Sequence, residues 1–491
     1  MRSAELLADL LDESVWRGKV FSSGWRELES AADAVEPATS RVLSRIGIAG
    51  PNDIARAATA ARQAQRAWAA RSYEERAAIF RKAARLVEEH AAEIVPWIVR
   101  ESGSTQPKAE FELGIALKSI LEAAAMPSQP QGVVLASPAD VTSLARRRPI
   151  GVVGVISPFN FPFILALRAV APALAVGNAV VLKPDPRTAI CGGFVIARLF
   201  EAAGLPPDVL HVLPGGADAG AALCSHPDVG MIQFTGSTSA GRKVGELAGR
   251  HLKKVSLELG GKNSLVVLDD ADLDLAVSNA AFGAYLHQGQ ICMATGRVLV
   301  QRKLEKEFVA RLAQKAKHLP VGDPAAGNVV LGPLINQAQL DHVASIVRDT
   351  VAAGATLEAG GTFEKLFYRA TVLSGVRPGM RAFDEEIFGP VAPVTAFDDD
   401  EEAIALANQT DYGLSAGILS GSVGRAMALG RKLRIGLLHI NNQTVDDEIV
   451  NPFGGVGISG NGTSVSGPAN WEEFTQWQWM TVREQPPARP F

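Results

Sequence analysis

Ile150–Ser157 reads IGVVGVIS, an apolar run without the polar–apolar alternation of a half-exposed strand. A strand of this composition belongs in a sheet covered on both faces. Outward from it the chain alternates strand and helix. A helix is expected from about Ile164 to Val176, then a strand Ala179–Lys183, a helix near Thr188–Ala203, a strand Val209–Leu213, a short helix and a strand Val229–Phe234. Repeated βα units of this length imply a parallel, doubly wound sheet with a crevice at its strand ends. The style resumes with strand Asn263–Leu268, helix Leu273–Leu286, strand Arg297–Val300 and helix Leu304–Ala316. Later signals fall at His342–Ala353, Val391–Phe397, Glu401–Ala407, Ala416–Leu419 and Gly436–Asn441.

Upstream, the first forty-five residues are weakly patterned and read as an edge segment. Asp53–Trp68 has helical spacing, and Ser72-Tyr73-Glu74-Glu75 reads as a capping box opening a helix that continues to about Val99. A third helix is expected over Lys108–Ala125, stopped by Pro127. The broad polar faces of these helices suggest a surface layer. Gly132–Leu135 and Val141–Arg148 read as a hairpin, either reaching toward a partner subunit or forming an ordinary edge with solvated arginines. Trp471–Arg483 is strand-like and suited to pair with it. No internal repeat or low-complexity linker is evident.

The chain has 491 residues, 47% hydrophobic and 20% charged, enough for a sizeable core in two or three domains. A formal net charge of −4 and pI near 6.1, without a basic tail, argue against nucleic acid as a partner. Three cysteines without CxxC spacing suggest neither a disulfide framework nor a zinc site, and fit a reducing cytosol. The opening MRSAELLADLLDES lacks the apolar core of a signal peptide, and no run is apolar enough for a membrane span.

Several strand ends carry residues suited to chemistry. In GQICMATGR, Gly289–Arg297, Cys292 sits among glycines and polar Gln288 and Gln290; a reactive thiol competes here with a small buried hydrophobe. Cys191 and Cys224 read as core. SLELGGKN, Ser256–Asn263, sets Glu258 between leucines before a Gly-Gly turn, where burial would raise its pKa toward that of a useful base; a surface or salt-bridged carboxylate is the plainer reading. Pro158–Pro162, PFNFP, stiffens a loop around Asn160, either a fixed oxyanion donor or a turn asparagine capping the next helix. Phe234–Thr238, FTGST, follows a strand and opens a helix, where free N–H groups suit a phosphate, although such turns are common without one. Lys183 in KPDP is placed to meet ribose hydroxyls or simply water. Glu385–Pro390, EEIFGP, offers a carboxylate and a ring for a flat cofactor, or an acidic helix start before an apolar anchor.

The order and spacing of PFNFP, KPDP, FTGST, ELGGKN, GQIC and EEIFGPV, from about Asp53 to the C-terminus, resemble the NAD(P)-dependent aldehyde dehydrogenase superfamily. The resemblance implies an α/β fold: a Rossmann-type cofactor domain, an α/β catalytic domain and a small β oligomerisation arm. It divides the chain into a cofactor domain (1–130 and 149–256, with a return at 456–470), an arm (131–148 and 471–491) and a catalytic domain (257–455). It implies Cys292 as nucleophile, Asn160 with the Cys292 N–H as oxyanion hole, and Glu258 as the base that activates water against a thioester. Hydrolysis is then favoured over transfer to coenzyme A, whose branch usually lacks this glutamate.

For NAD or NADP the resemblance implies Lys183 and Glu386 at the two riboses, Phe388 beside the nicotinamide ribose, and Gly236 and Ser237 at the pyrophosphate. Ile156, Ser157, Phe159, Asp185 and Arg187 complete one wall of that site, and Phe234, Thr235, Glu258, Leu259 and Gly260 another. Where NAD-preferring members often carry a glutamate three residues after the lysine, this chain has Pro186, followed by Arg187. Losing that carboxylate removes repulsion against a 2′-phosphate, so use of both cofactors is expected. Arg146–Pro149, KPDPRT, GQICMATGR and Phe453–Gly462 look most like the benzaldehyde, vanillin and salicylaldehyde dehydrogenase branch. Phe159, Phe163, Ile291 and Met293 then either line an apolar slot for a flat ring or belong to the core. The alternatives are an aliphatic or succinic semialdehyde substrate, the latter weighed against because no obvious second arginine, Arg168 aside, is placed to anchor a substrate carboxylate, or a catalytically silent binding protein on the same scaffold. Members of the family assemble through the hairpin and last strand, implying a homodimer or homotetramer, in the cytoplasm, with no membrane contact.

Overall fold

The computed structural model describes residues 9–491; the first eight residues of the opening stretch lie outside them. The Ile150–Ser157 run forms the strand Val152–Ile156, buried at every position, in the interior of a seven-stranded sheet. Its parallel neighbours are Ala179–Lys183 and then Leu210–Val212 on one side, and Val229–Thr235 and then Lys254–Glu258 on the other. Chain order therefore reverses between Val152–Ile156 and Val229–Thr235, and that reversal opens the crevice at the carboxyl ends of both strands.

The edge segment contributes more than its weak pattern suggests. Lys19–Phe21 and Trp25–Glu27 extend the sheet antiparallel beyond Leu210–Val212, and Ala31–Val35 pairs with Val42–Gly47. Strands of three residues are too short to show a period. A second seven-stranded sheet runs Thr356–Ala359, Thr371–Ser374, Val391–Phe397, Thr295–Gln301, Asn263–Val267, Ser415–Leu419 and Leu437–Ile440, with only the first strand antiparallel. The boundary expected at 256–257 falls inside Lys254–Glu258, so the chain passes between the sheets through Leu259–Lys262.

The helices hold close to expectation, with two corrections. The capping box at Ser72 is present, its hydroxyl accepting from the Glu75 N–H (3.2 Å) while Glu75 accepts from the Ser72 N–H (2.9 Å). The helix it opens ends at Glu89, however. His90 leaves helical geometry (φ −109°, ψ 18°) and a new helix runs Ala91–Ser102. At the other end, Trp471–Phe474 belongs to the helix Ala469–Phe474, and the last strand is Thr475–Val482. That strand pairs antiparallel with Thr142–Pro149, which pairs with Gly132–Leu135, making a three-stranded arm. Val134 (78% exposed) and Trp479 (72%) leave the arm with unburied apolar surface. Among the described residues no helix is long and apolar enough to cross a membrane.

Candidate functional site

The motifs that lie far apart in sequence are packed on one another. Glu258 ends its strand, and its carbonyl accepts from the Gly236 N–H (3.0 Å), which ties the FTGST turn to the ELGG turn. A Cβ at Gly260 would sit 2.4 Å from Glu386 Oε2, and one at Gly261 would sit 2.3 Å from the Cys292 carbonyl oxygen. Both glycines are thus required by close approach. The Gly261 N–H donates to Glu386 Oε1 (2.9 Å). Asn263 Nδ2 donates to the carbonyls of Cys292 and Ala294 (both 2.8 Å). Asn263 was not among the expected site residues, although it holds the cysteine loop from both sides.

Ahead of Cys292 three successive residues are left-handed: His287 (φ 48°), Gln288 (φ 57°) and Gly289 (φ 68°). For the two side-chain-bearing residues this costs on the order of 1–2 kcal/mol each. The turn is clamped by Gln288, whose amide donates to the carbonyls of Gly103 (3.0 Å) and Pro333 (2.9 Å), and by Gln290, whose amide oxygen accepts from the Ile335 N–H (3.0 Å). A Cβ at Gly289 would meet the Gly389 carbonyl at 2.2 Å, so GQIC and FGPV touch there. Phe388 is also left-handed (φ 52°). Strain concentrated in these loops marks them as a functional region.

Asn160 is buried, and its Nδ2 donates to the Gln290 carbonyl (2.9 Å), leaving the amide's other N–H for a ligand. Glu258 is buried, and among the described residues neither of its carboxylate oxygens has a hydrogen-bond partner. Burial pushes its pKa well above the ordinary 4.5, opposed by the charge of Arg168 and reinforced by Glu473 and Asp447. The Cys292 thiol is only partly covered, and burial with the Glu386 and Glu258 carboxylates pushes it up to about 12. Cys191 and Cys224 are buried in the core, as expected.

The expected cofactor residues gather at the carboxyl ends of the first sheet. Lys183 Nζ donates to the Gly215 carbonyl (2.8 Å), and the Ser157 N–H donates to the Lys183 carbonyl (3.2 Å). The buried Ser157 hydroxyl has no protein partner among the described residues. Glu386 is pushed up to about 7 by burial. Phe159 meets Phe388 edge-on at 5.9 Å. An amine, a hydroxyl and a carboxylate with bonding capacity to spare, beside glycine turns and a helix start, fit a dinucleotide. The Thr238–Arg250 helix start is less open than expected: Gly236's N–H goes to Glu258, and Ala240's goes to the Ser237 hydroxyl (3.3 Å).

Arg187 is not a free cation. It forks onto Asp185 (Nε–Oδ1 2.9 Å, Nη2–Oδ2 2.6 Å) and lies 4.3 Å over the Phe159 ring. Arg168 is buried, ion-paired with Asp447 and 4.7 Å over the Phe453 ring. Of the expected ring-slot residues, Phe159 is partly exposed, Ile291 and Met293 are largely buried, and Phe163 has no exposed surface and packs in the main core.

Two doubly wound sheets meeting at a thiol and a buried carboxylate without a partner among the described residues, beside the glycine turns that fit a dinucleotide, define a dinucleotide-dependent α/β enzyme class. Residues 25–480 match the aldehyde dehydrogenase family. The chain is 56% identical to a vanillin dehydrogenase of an Amycolatopsis species, over 98% of this chain and 99% of that one. It is 49% identical to a benzaldehyde dehydrogenase [NAD(+)] of Pseudomonas putida, with the same coverage of each. The crystal structure of a salicylaldehyde dehydrogenase from Pseudomonas putida G7, complexed with salicylaldehyde, is 34% identical and superposes with a TM-score of 0.93 over 96% of this chain and 99% of that one. The chain belongs to the aldehyde dehydrogenase family.

Proposed function

We propose that the protein oxidises aromatic aldehydes to carboxylic acids with NAD or NADP, using Cys292 as nucleophile, Asn160 as oxyanion donor and Glu258 as general base. One observation carries this reading: a buried carboxylate without a hydrogen-bond partner among the described residues, Glu258, ends the strand whose following Gly260-Gly261 turn packs directly on the backbone of Cys292. A catalytically silent scaffold would have no use for that unsatisfied group.

Attack requires the Cys292 thiolate, so the thiol proton passes to solvent before the sulfur reacts. The sulfur then bonds to the aldehyde carbon. The carbonyl electrons move onto oxygen, held by the free Asn160 N–H and the Cys292 backbone N–H. A bound nicotinamide cofactor supplies the acceptor for the hydride that leaves the thiohemiacetal carbon. The thioester left on Cys292 is attacked by water, whose proton passes to Glu258, and the C–S bond breaks to release the acid. Lys183 and Glu386 would hold the ribose hydroxyls of the cofactor, and Ser237 at the helix start would meet its pyrophosphate.

Relatives acting on vanillin and benzaldehyde support a ring substrate, with Phe159, Ile291 and Met293 as apolar contacts. Arg168 is an unsuitable anchor for a second substrate carboxylate because Asp447 already balances its charge. Steady-state kinetics on benzaldehyde, vanillin, salicylaldehyde, succinic semialdehyde and hexanal test the assignment. The aromatic aldehydes are expected to lead in kcat/KM; a lead for succinic semialdehyde would overturn it.

With Pro186 in place of a ribose-binding carboxylate and Arg187 neutralised by Asp185, the adenosine end neither repels nor strongly attracts a 2′-phosphate. We expect kcat/KM with NADP to stay within about a thousandfold of that with NAD, a discrimination under ~4 kcal/mol. A larger gap would show that another group reads the 2′ position. The apolar arm is assigned to a homodimer or homotetramer interface, and a chemistry dependent on free thiol to a reducing compartment such as the cytoplasm.

A further inference from the structure

Beneath the Asn160 loop lies a charged pair that the sequence places on a solvated helix face. Lys108 and Glu112, one turn apart on the helix Gln106–Ala125, are both fully buried at the side chain and 2.6 Å apart. Lys108 Nζ also donates to the main-chain carbonyl of Asn160 (2.8 Å) and sits 4.0 Å over the Phe161 ring. Glu112 Oε1 accepts from the N–H groups of Phe163 (2.8 Å) and Ile164 (3.2 Å). Those belong to the first turn of the helix Pro162–Ala175, which has no cap from its own N-cap residue, Phe161. A carboxylate from another helix thus supplies the acceptor that a helix start needs, with a charge that favours the positive end of its dipole.

We infer that Lys108 and Glu112 are positioning residues for the reaction: together they fix both ends of the Asn160–Ile164 segment and so aim the Asn160 amide. A buried ion pair is a poor source of net stability, and an apolar pair of equal volume would join the two helices as well. What an apolar pair would not do is grip one carbonyl and two N–H groups of this loop. The geometry matters because oxyanion stabilisation depends on donors preset within fractions of an ångström. Phe161 is held by the same device, between the Lys108 ammonium and the buried His287 ring, 5.6 Å away. The loop is therefore clamped against the left-handed turn that leads to Cys292.

This inference rests on the assignment of Asn160 as oxyanion donor, and the test separates the two. The full-length enzyme, Lys108→Met, Asn160→Ala and the double variant are compared by the single-turnover rate of cofactor reduction with benzaldehyde and by cofactor Kd. Asn160→Ala is expected to slow the turnover by about 10²-fold and Lys108→Met by about tenfold, with cofactor Kd unchanged. The double variant should be no slower than Asn160→Ala alone, because a misaimed amide costs nothing once the amide is gone. If the two losses multiply, Lys108 does not act through Asn160 and the inference falls while the oxyanion assignment stands. If Asn160→Ala alone leaves the rate intact, the oxyanion assignment falls and takes the inference with it. Should Lys108→Met not fold, Glu112→Gln, which keeps volume and one acceptor oxygen but removes the charge facing Lys108, enters the same cycle under the same criteria.

Discussion

Cys292→Ala is expected to abolish aldehyde oxidation, lowering kcat by at least ~10⁴-fold while leaving cofactor binding intact. No neighbouring group is available to substitute. Cys191 is fully enclosed with its pKa raised well above 9 by burial, and Cys224 is buried and pushed up to about 11 by the same cause. The substitution should barely disturb the fold, because the Cys292 backbone is held by Asn263 through its carbonyl and does not depend on the sulfur. Steady-state reduction of NAD by benzaldehyde, alongside a fluorescence titration of the cofactor, separates loss of chemistry from loss of binding. Ordinary turnover in the variant would remove Cys292 from the mechanism.

Glu258→Gln is expected to slow turnover by roughly 10²–10⁴-fold at the hydrolytic step, so that an acyl-enzyme accumulates. The replacement is nearly isosteric and breaks no hydrogen bond to another described residue. The pH dependence follows from burial, which raises the folded pKa of Glu258 above 4.5. Wild-type kcat should therefore climb with pH through that raised ionisation, and the climb should be absent in the glutamine variant. Stability carries the complementary sign. Between 4.5 and the folded pKa the native state binds this proton more tightly than the unfolded chain does, so the group's contribution falls as pH rises. Glu258→Gln removes that loss, and its Tm relative to wild type should rise across the same window. A variant with an unchanged pH–rate profile would mean that another base acts.

Much of the fold was legible because Val152–Ile156 and its parallel neighbours are buried on both faces, which forces unbroken apolar runs, and because a glycine or proline usually closes each run. The site was legible for a related reason. Gly260, Gly261 and Gly289 are places where one loop approaches another too closely for a side chain, so the motifs around them mark contacts between distant segments. What stayed hidden depends on tertiary position alone. Lys108 and Glu112 have the spacing of a surface pair on an amphipathic helix, and only the helix Pro162–Ala175 lying across them makes them buried. Asn263 looks like an ordinary polar residue starting a strand until its amide meets two carbonyls of the Cys292 loop. Arg187, which follows Pro186 at the adenosine end, is matched by a carboxylate two residues away, a pairing the sequence permits but does not require.

The central claim, that the aldehyde carbon becomes bonded to the Cys292 sulfur and is released by Glu258, is tested most directly by peptide mass spectrometry. Glu258→Gln is mixed with NAD and benzaldehyde, quenched in acid and digested. The account predicts the added mass of one benzoyl group on the peptide containing Cys292, dependent on NAD and absent from the peptides containing Cys191 and Cys224. An unmodified Cys292 peptide from a variant that has reduced one equivalent of NAD would contradict it.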